Sequence, residues 1–142
     1  MLKWLITLGV AVLMTFVAMR SKAGDLVVIL EEVRSAKGEV RFALFDRADQ
    51  FPRGENLASK DVPAVHPSVT VRFRDLKPGD YAIAVHHDEN GDGKMNTNFI
   101  GYPYEGFGFS NNARVIFLPP TFEAAAFEIE SEDKTVRLKV VY

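Results

Sequence analysis

The segment His86–Asn96, HHDENGDGKMN, concentrates side chains that could do chemistry. Asp88, Asn90 and Asp92 stand at alternate positions, followed by Gly93, Lys94 and Asn96. Calcium takes roughly six to eight oxygen ligands, and a loop can wrap it with side-chain oxygens at its first, third, fifth and ninth places, a glycine at the sixth and a main-chain carbonyl at the seventh. Asp88, Asn90, Asp92, Asn96 and the carbonyl of Lys94 fill those places, which makes calcium the expected cofactor. The twelfth place, a glutamate in a helix–loop–helix calcium site, is Phe99, so an acid such as Glu105 would have to return to complete the shell. The competing expectation is a plain tight turn. Asp, Asn and Gly tolerate left-handed backbone and bond to their own main chain, and the Lys94 ammonium would weaken the hold on a cation.

The neighbouring stretch Phe99–Ala113, FIGYPYEGFGFSNNA, sets aromatic rings among glycines. Rings on such a loop can stack on sugars or anchor a partner. With His87 and Glu105, the side chains of Tyr102, Tyr104 and Phe107 form the expected ligand-binding set, for a small ligand or a protein. The alternative places these rings in the end of the core. His86 and His87 are adjacent, so on a strand they point to opposite faces. His87 shares its face with Tyr81, Ile83 and Val85 and is expected to be a hydrogen-bonded residue at the edge of the core. An enzyme would need His87, Asp88 and Glu105 to converge as acid–base groups, in the manner of a small hydrolase. Ser110 lacks a nucleophile-elbow context, and no catalytic residue is assigned.

The elements that must hold these groups read as strands. Leu26–Val33 is rich in branched residues, and Glu39–Asp46, Val69–Arg74, Asp80–Asp88 and Thr135–Tyr142 alternate apolar with polar. Phe122–Glu130 reads as a further strand in spite of its three alanines, and a short one is expected at Arg114–Phe117. A Pro78-Gly79 turn joins two of the runs, and Asp46–Pro67, with three prolines, reads as a long loop. This period-2 pattern predicts an all-β fold, an antiparallel β-sandwich of about seven strands.

The first 23 residues have the order of an export signal: a basic start at Lys3, an uncharged apolar run of 16 residues from Trp4 to Met19, and small Ser21 and Ala23 before Gly24. A retained anchor would want about 20 apolar residues. Residues 24–142 then form one domain, exported to the periplasm or outside the cell, with no membrane contact once the signal is removed. Its removal takes away three basic residues and no acid, leaving 14 basic against 19 acidic residues, which argues against nucleic acid as a partner. The absence of cysteine rules out thiolate chemistry and disulfides. Whether the chain self-associates is not encoded in these features.

Taken together, Tyr81–Ala113 and Pro119–Phe127 resemble the exported bacterial family known as domain of unknown function 2141. The shared features are the strand ending in His87-Asp88, the glycine-rich Asn90–Lys94, the run Gly101–Asn111 and the later Pro119–Phe122. Asn96 departs from the family, which more often carries an acid there. The resemblance implies export and a small immunoglobulin-like or transthyretin-like sandwich, the latter also suggested by Leu76–Tyr81 (LKPGDY). It implies no mechanism. The expected function is therefore that of a non-enzymatic exported module with a calcium- or ligand-binding loop at residues 87–112.

Overall fold

A computed structural model describes residues 22–142, so nearly all of the expected export segment, residues 1–23, lies outside the described residues. Among the described residues eight strands follow in chain order: β1 (Gly24–Glu31), β2 (Glu39–Phe45), β3 (Ala58–Pro63), β4 (Val69–Leu76), β5 (Gly79–Asp88), β6 (Gly106–Phe109), β7 (Phe127–Ile129) and β8 (Lys134–Lys139), with a 3-10 turn at Ser110–Asn112 after β6 and one α-helical turn, α1 (Phe122–Ala125), before β7. They form a sandwich of two sheets. One has the order β4-β1-β8, and the other has the order β3-β2-β5-β6 with β7 paired to β5. Every pairing is antiparallel except β1 with β8, which is parallel.

Alternation builds the core. Leu26, Val28 and Leu30 of β1, Val71 and Phe73 of β4 and Val136 and Leu138 of β8 face Val40, Phe42 and Leu44 of β2 and Ile83 and Val85 of β5, and all are buried. Tyr81 closes one end, its hydroxyl donating to the carbonyl of Lys77 at 2.6 Å, and burial pushes its pKa up. Among the described residues no helix is long and apolar enough to cross a membrane.

Three expected elements differ. The run Asp46–Pro67 is not all loop, because Ala58–Pro63 pairs with β2 as an edge strand. Most of its side chains face solvent, so it carries no apolar alternation to read. Phe122–Ala125 is helical rather than extended: the Thr121 hydroxyl accepts the Ala124 N–H and caps the turn, and alanine favours it. Arg114–Phe117 forms no strand; only a lone bridge joins Ile116 and Leu118. The extra strand is instead Gly106–Phe109, whose glycines disguised it.

Candidate functional site

The outer face of the larger sheet, away from the core, carries a cleft. Register fixes its floor: Arg41 of β2 lies opposite His86 of β5, which lies opposite Phe107 of β6, while Ala43, Ala84 and Phe109 form the next row. The two alanines keep the floor low. In β6 the residues alternate Gly106, Phe107, Gly108, Phe109, and the requirement is steric. A Cβ on Gly108 would sit 2.6 Å from the carbonyl oxygen of Lys139, and one on Gly106 would meet the Tyr142 ring. Glycine therefore lets β6 lie close over the chain end after β8, and both phenylalanines are driven to the outer face.

Three side chains after β6 lock this arrangement. The buried Ser110 hydroxyl accepts the Ile83 N–H at 2.9 Å and donates to the Ala125 carbonyl. Asn111 donates its amide to the Ala126 carbonyl at 2.7 Å, and Asn112 accepts the Lys139 N–H at 2.9 Å. Ser110 is thus a tie between β5 and α1.

Two connections form the walls. One runs from Met95 to Pro103 and presents Met95, Ile100 and Tyr102; the other presents Val115, Ile116 and Phe117. Pro52 and Arg53, in the β2–β3 connection, close one end. The enclosed volume is ≈ 960 Å³, within the range of small-molecule sites. Tyr102 meets Phe107 edge-on at 6.2 Å between ring centres. Large apolar side chains on the walls are open to solvent: Ile100 is 74%, Ile116 70% and Phe117 102% exposed.

The Asp88–Asn96 loop sits beside this cleft. Asp88 is wholly buried at the end of β5. Its carboxylate accepts the N–H groups of Gly91 and Gly93 at 2.9 and 2.8 Å, and Arg41 Nε lies 3.7 Å away. Both glycines have positive φ, 71° and 77°, where other residues are strained. Asn90, Asp92 and Asn96 converge. The amides of Asn90 and Asn96 donate to Asp92 at 3.3 and 3.0 Å, and Asn90 also donates to Asn96 at 3.1 Å. The Asn96 amide, then the Lys94 N–H, hold the Asp92 carboxyl below the usual carboxylate range. The structure thus brings together Asn90, Asp92 and Asn96, while Asp88 is turned to main-chain N–H groups and Lys94 contributes its N–H to Asp92.

Glu105 returns to the same corner, buried, and its Oε2 lies 2.6 Å from Nε2 of His86. Ligand atoms of His86, Asp88 and Glu105 lie within 4.8 Å of one another. The partner of Glu105 is therefore His86. His87 points into the sandwich, where its Nε2–H donates to the Lys37 carbonyl at 2.8 Å. The Tyr142 hydroxyl donates to its Nδ1 at 2.7 Å and accepts the Arg34 N–H at 3.0 Å. Both ring nitrogens are thereby used within the fold, as expected for a residue at the core's edge. The trio His87, Asp88 and Glu105 does not assemble, since period-2 alternation puts His87 on the face opposite the cleft. Of the aromatic set, Tyr102 and Phe107 line the cleft, whereas Tyr104 is 64% exposed and lies outside the lining. Sequence reasoning left His86 and Arg41 out of the site; the signal available was register, since both share the outer face with Phe107.

Compared with family models, residues 28–137 match the one described as "Uncharacterized protein conserved in bacteria (DUF2141)". No curated protein and no solved structure matches the chain.

Replacing Asp88 strands two main-chain N–H groups beside a buried end of the sheet. Asp88→Ala is expected to lower stability by about 1–3 kcal/mol in denaturant unfolding and to speed amide exchange at Gly91 and Gly93. Unchanged exchange at those two amides would show that the carboxylate does not hold the loop.

Proposed function

The chain belongs to the bacterial family DUF2141, and we propose that it is an exported, non-enzymatic binding module whose outer cleft holds an apolar ligand. The observation that carries this reading is the cleft itself. An alanine floor, two phenylalanines and two walls of exposed apolar side chains enclose ≈ 960 Å³ on the solvent side of a sheet whose opposite face already fills the core. Contiguous apolar surface of this kind marks an interaction site. Within the cleft the His86–Glu105 pair is a mutually satisfied hydrogen bond, which suits it to shaping one end of the site. Ile83 and Ser110, the groups that tie the floor to the rest of the fold, lie beneath the cleft and contribute rigidity.

Export is supported by the N-terminal pattern and by its fit to the fold: β1 begins at Gly24, the residue after the expected cut. Protein recovered from outside the cytoplasm is expected to have the mass of residues 24–142. A mass that retains residues 1–23 would contradict cleavage.

For the cleft, the neutral probe N-phenyl-1-naphthylamine is expected to bind the exported protein saturably with a rise in fluorescence. Ala84→Phe, which fills the floor, should weaken binding about tenfold, a loss of ~1.4 kcal/mol. Binding that is indifferent to Ala84→Phe in a folded variant would place the apolar site elsewhere.

A second reading is favoured by the convergence of Asn90, Asp92 and Asn96, with Glu105 brought back beside Asp88. In it calcium replaces the Asn–Asp hydrogen bonds, the two amides turn their oxygens inward, and the wall of the cleft stiffens. Millimolar calcium should then raise the melting temperature, and Asp92→Asn should remove the rise. No shift with calcium would leave the loop as a turn closed by its own hydrogen bonds.

A further inference from the structure

We propose that the occupant of the cleft is an amphipathic anion: a single apolar chain lying over Ala43 and Ala84, with its charged head held by Arg53. This rests on the cleft being the binding site and adds the chemistry of what fills it.

The charge of the lining carries the argument. Three residues of the lining can bear positive charge, Arg41, Arg53 and His86, and no carboxylate is among the lining residues. Two of the three are already engaged. Arg41 lies among Asp88 at 3.7 Å and Glu39 and Asp61 at 4.0 Å each, and donates to the Gly93 carbonyl at 3.4 Å. His86 is taken up by Glu105. Arg53 forms no ion pair among the described residues. It sits in the β2–β3 connection, beyond Phe45, at the opposite end of β2 from Arg41. The cleft is therefore polarised, closed at the Arg41 end by compensated charge and offering a free guanidinium at the other.

Between the ends the surfaces are apolar. Ala43, Ala84 and Phe109 form a row across the floor, and Tyr102, Ile100, Ile116 and Phe117 flank it. A neutral apolar ligand would leave Arg53 unused, and a cationic one would be repelled by it. A guanidinium fork matches either a carboxylate or a phosphate, so a free long-chain acid and an alkyl phosphate share the required chemistry.

Calorimetric titration of the exported protein with four ten-carbon probes tests this: decanoate, decyl phosphate, decanol and decylamine. The two anions are expected to bind at least tenfold tighter than decanol, and decylamine most weakly. The stronger of the two anions identifies the head. Added salt should weaken the anions and leave decanol unchanged, a readout that needs no variant. Lengthening the carboxylate should tighten binding by about fourfold per methylene. Arg53→Gln, at an exposed loop position, should bring decanoate to the level of decanol. Equal binding of decanoate and decanol, or indifference of decanoate to both salt and Arg53→Gln, would overturn the anionic head while leaving the apolar cleft intact. Binding of none of the four would overturn both.

Discussion

A buried carboxylate at the end of a strand governs this structure. Asp88 sits at zero exposure where β5 leaves the sheet, and an unpaired charge there would be costly. It is satisfied by the amides of Gly91 and Gly93, two left-handed residues that present their N–H groups to it together. That requirement turns the backbone sharply and starts the connection that forms one wall of the cleft. The Tyr104 N–H then bonds to the Asn96 carbonyl, so the connection closes on itself and delivers Glu105 to His86 and β6 to the edge of β5. Wall and polar corner both follow from where that carboxylate finds its partners, over a floor that strand register sets.

The second constraint is steric. β6 approaches the chain after β8 so closely that its inward positions admit no side chain. The Gly-Phe-Gly-Phe order follows, and with it the outward aromatic pair. Ser110, Asn111 and Asn112 then fasten the end of β6 to β5, to the residues around α1 and to β8. The run Gly106–Asn112 is thus a device for placing two rings on the outer face of a sheet and keeping them there.

Much of the frame was legible from residue order alone. The runs Glu39–Asp46, Val69–Arg74 and Asp80–Asp88 alternate, and each becomes a strand, within a residue or two at its ends, with the expected face inward. Strands β3 and β6 were hidden for opposite reasons: the first is an exposed edge with no apolar face, and the second spends alternate positions on glycine. Phe122–Ala125 went to helix because a local cap outweighed an apparent alternation. At the site, spacing anticipated the meeting of Asn90, Asp92 and Asn96 but not the turning of Asp88 to main-chain N–H groups, and Tyr102 and Phe107 were legible only as rings on a glycine-rich loop. The cleft was not, because its floor joins residues more than 40 positions apart, Arg41 with His86 and Ala43 with Ala84, through register that no short motif reveals.

The central claim is a preformed, solvent-facing cleft on the larger sheet, and a crystal structure of the protein grown with a ten-carbon carboxylate addresses it most directly. The account predicts continuous density over Ala43 and Ala84, between Tyr102 and Phe117, ending at Arg53. Walls collapsed onto Phe107 and Phe109, with no space above the alanines, would contradict it.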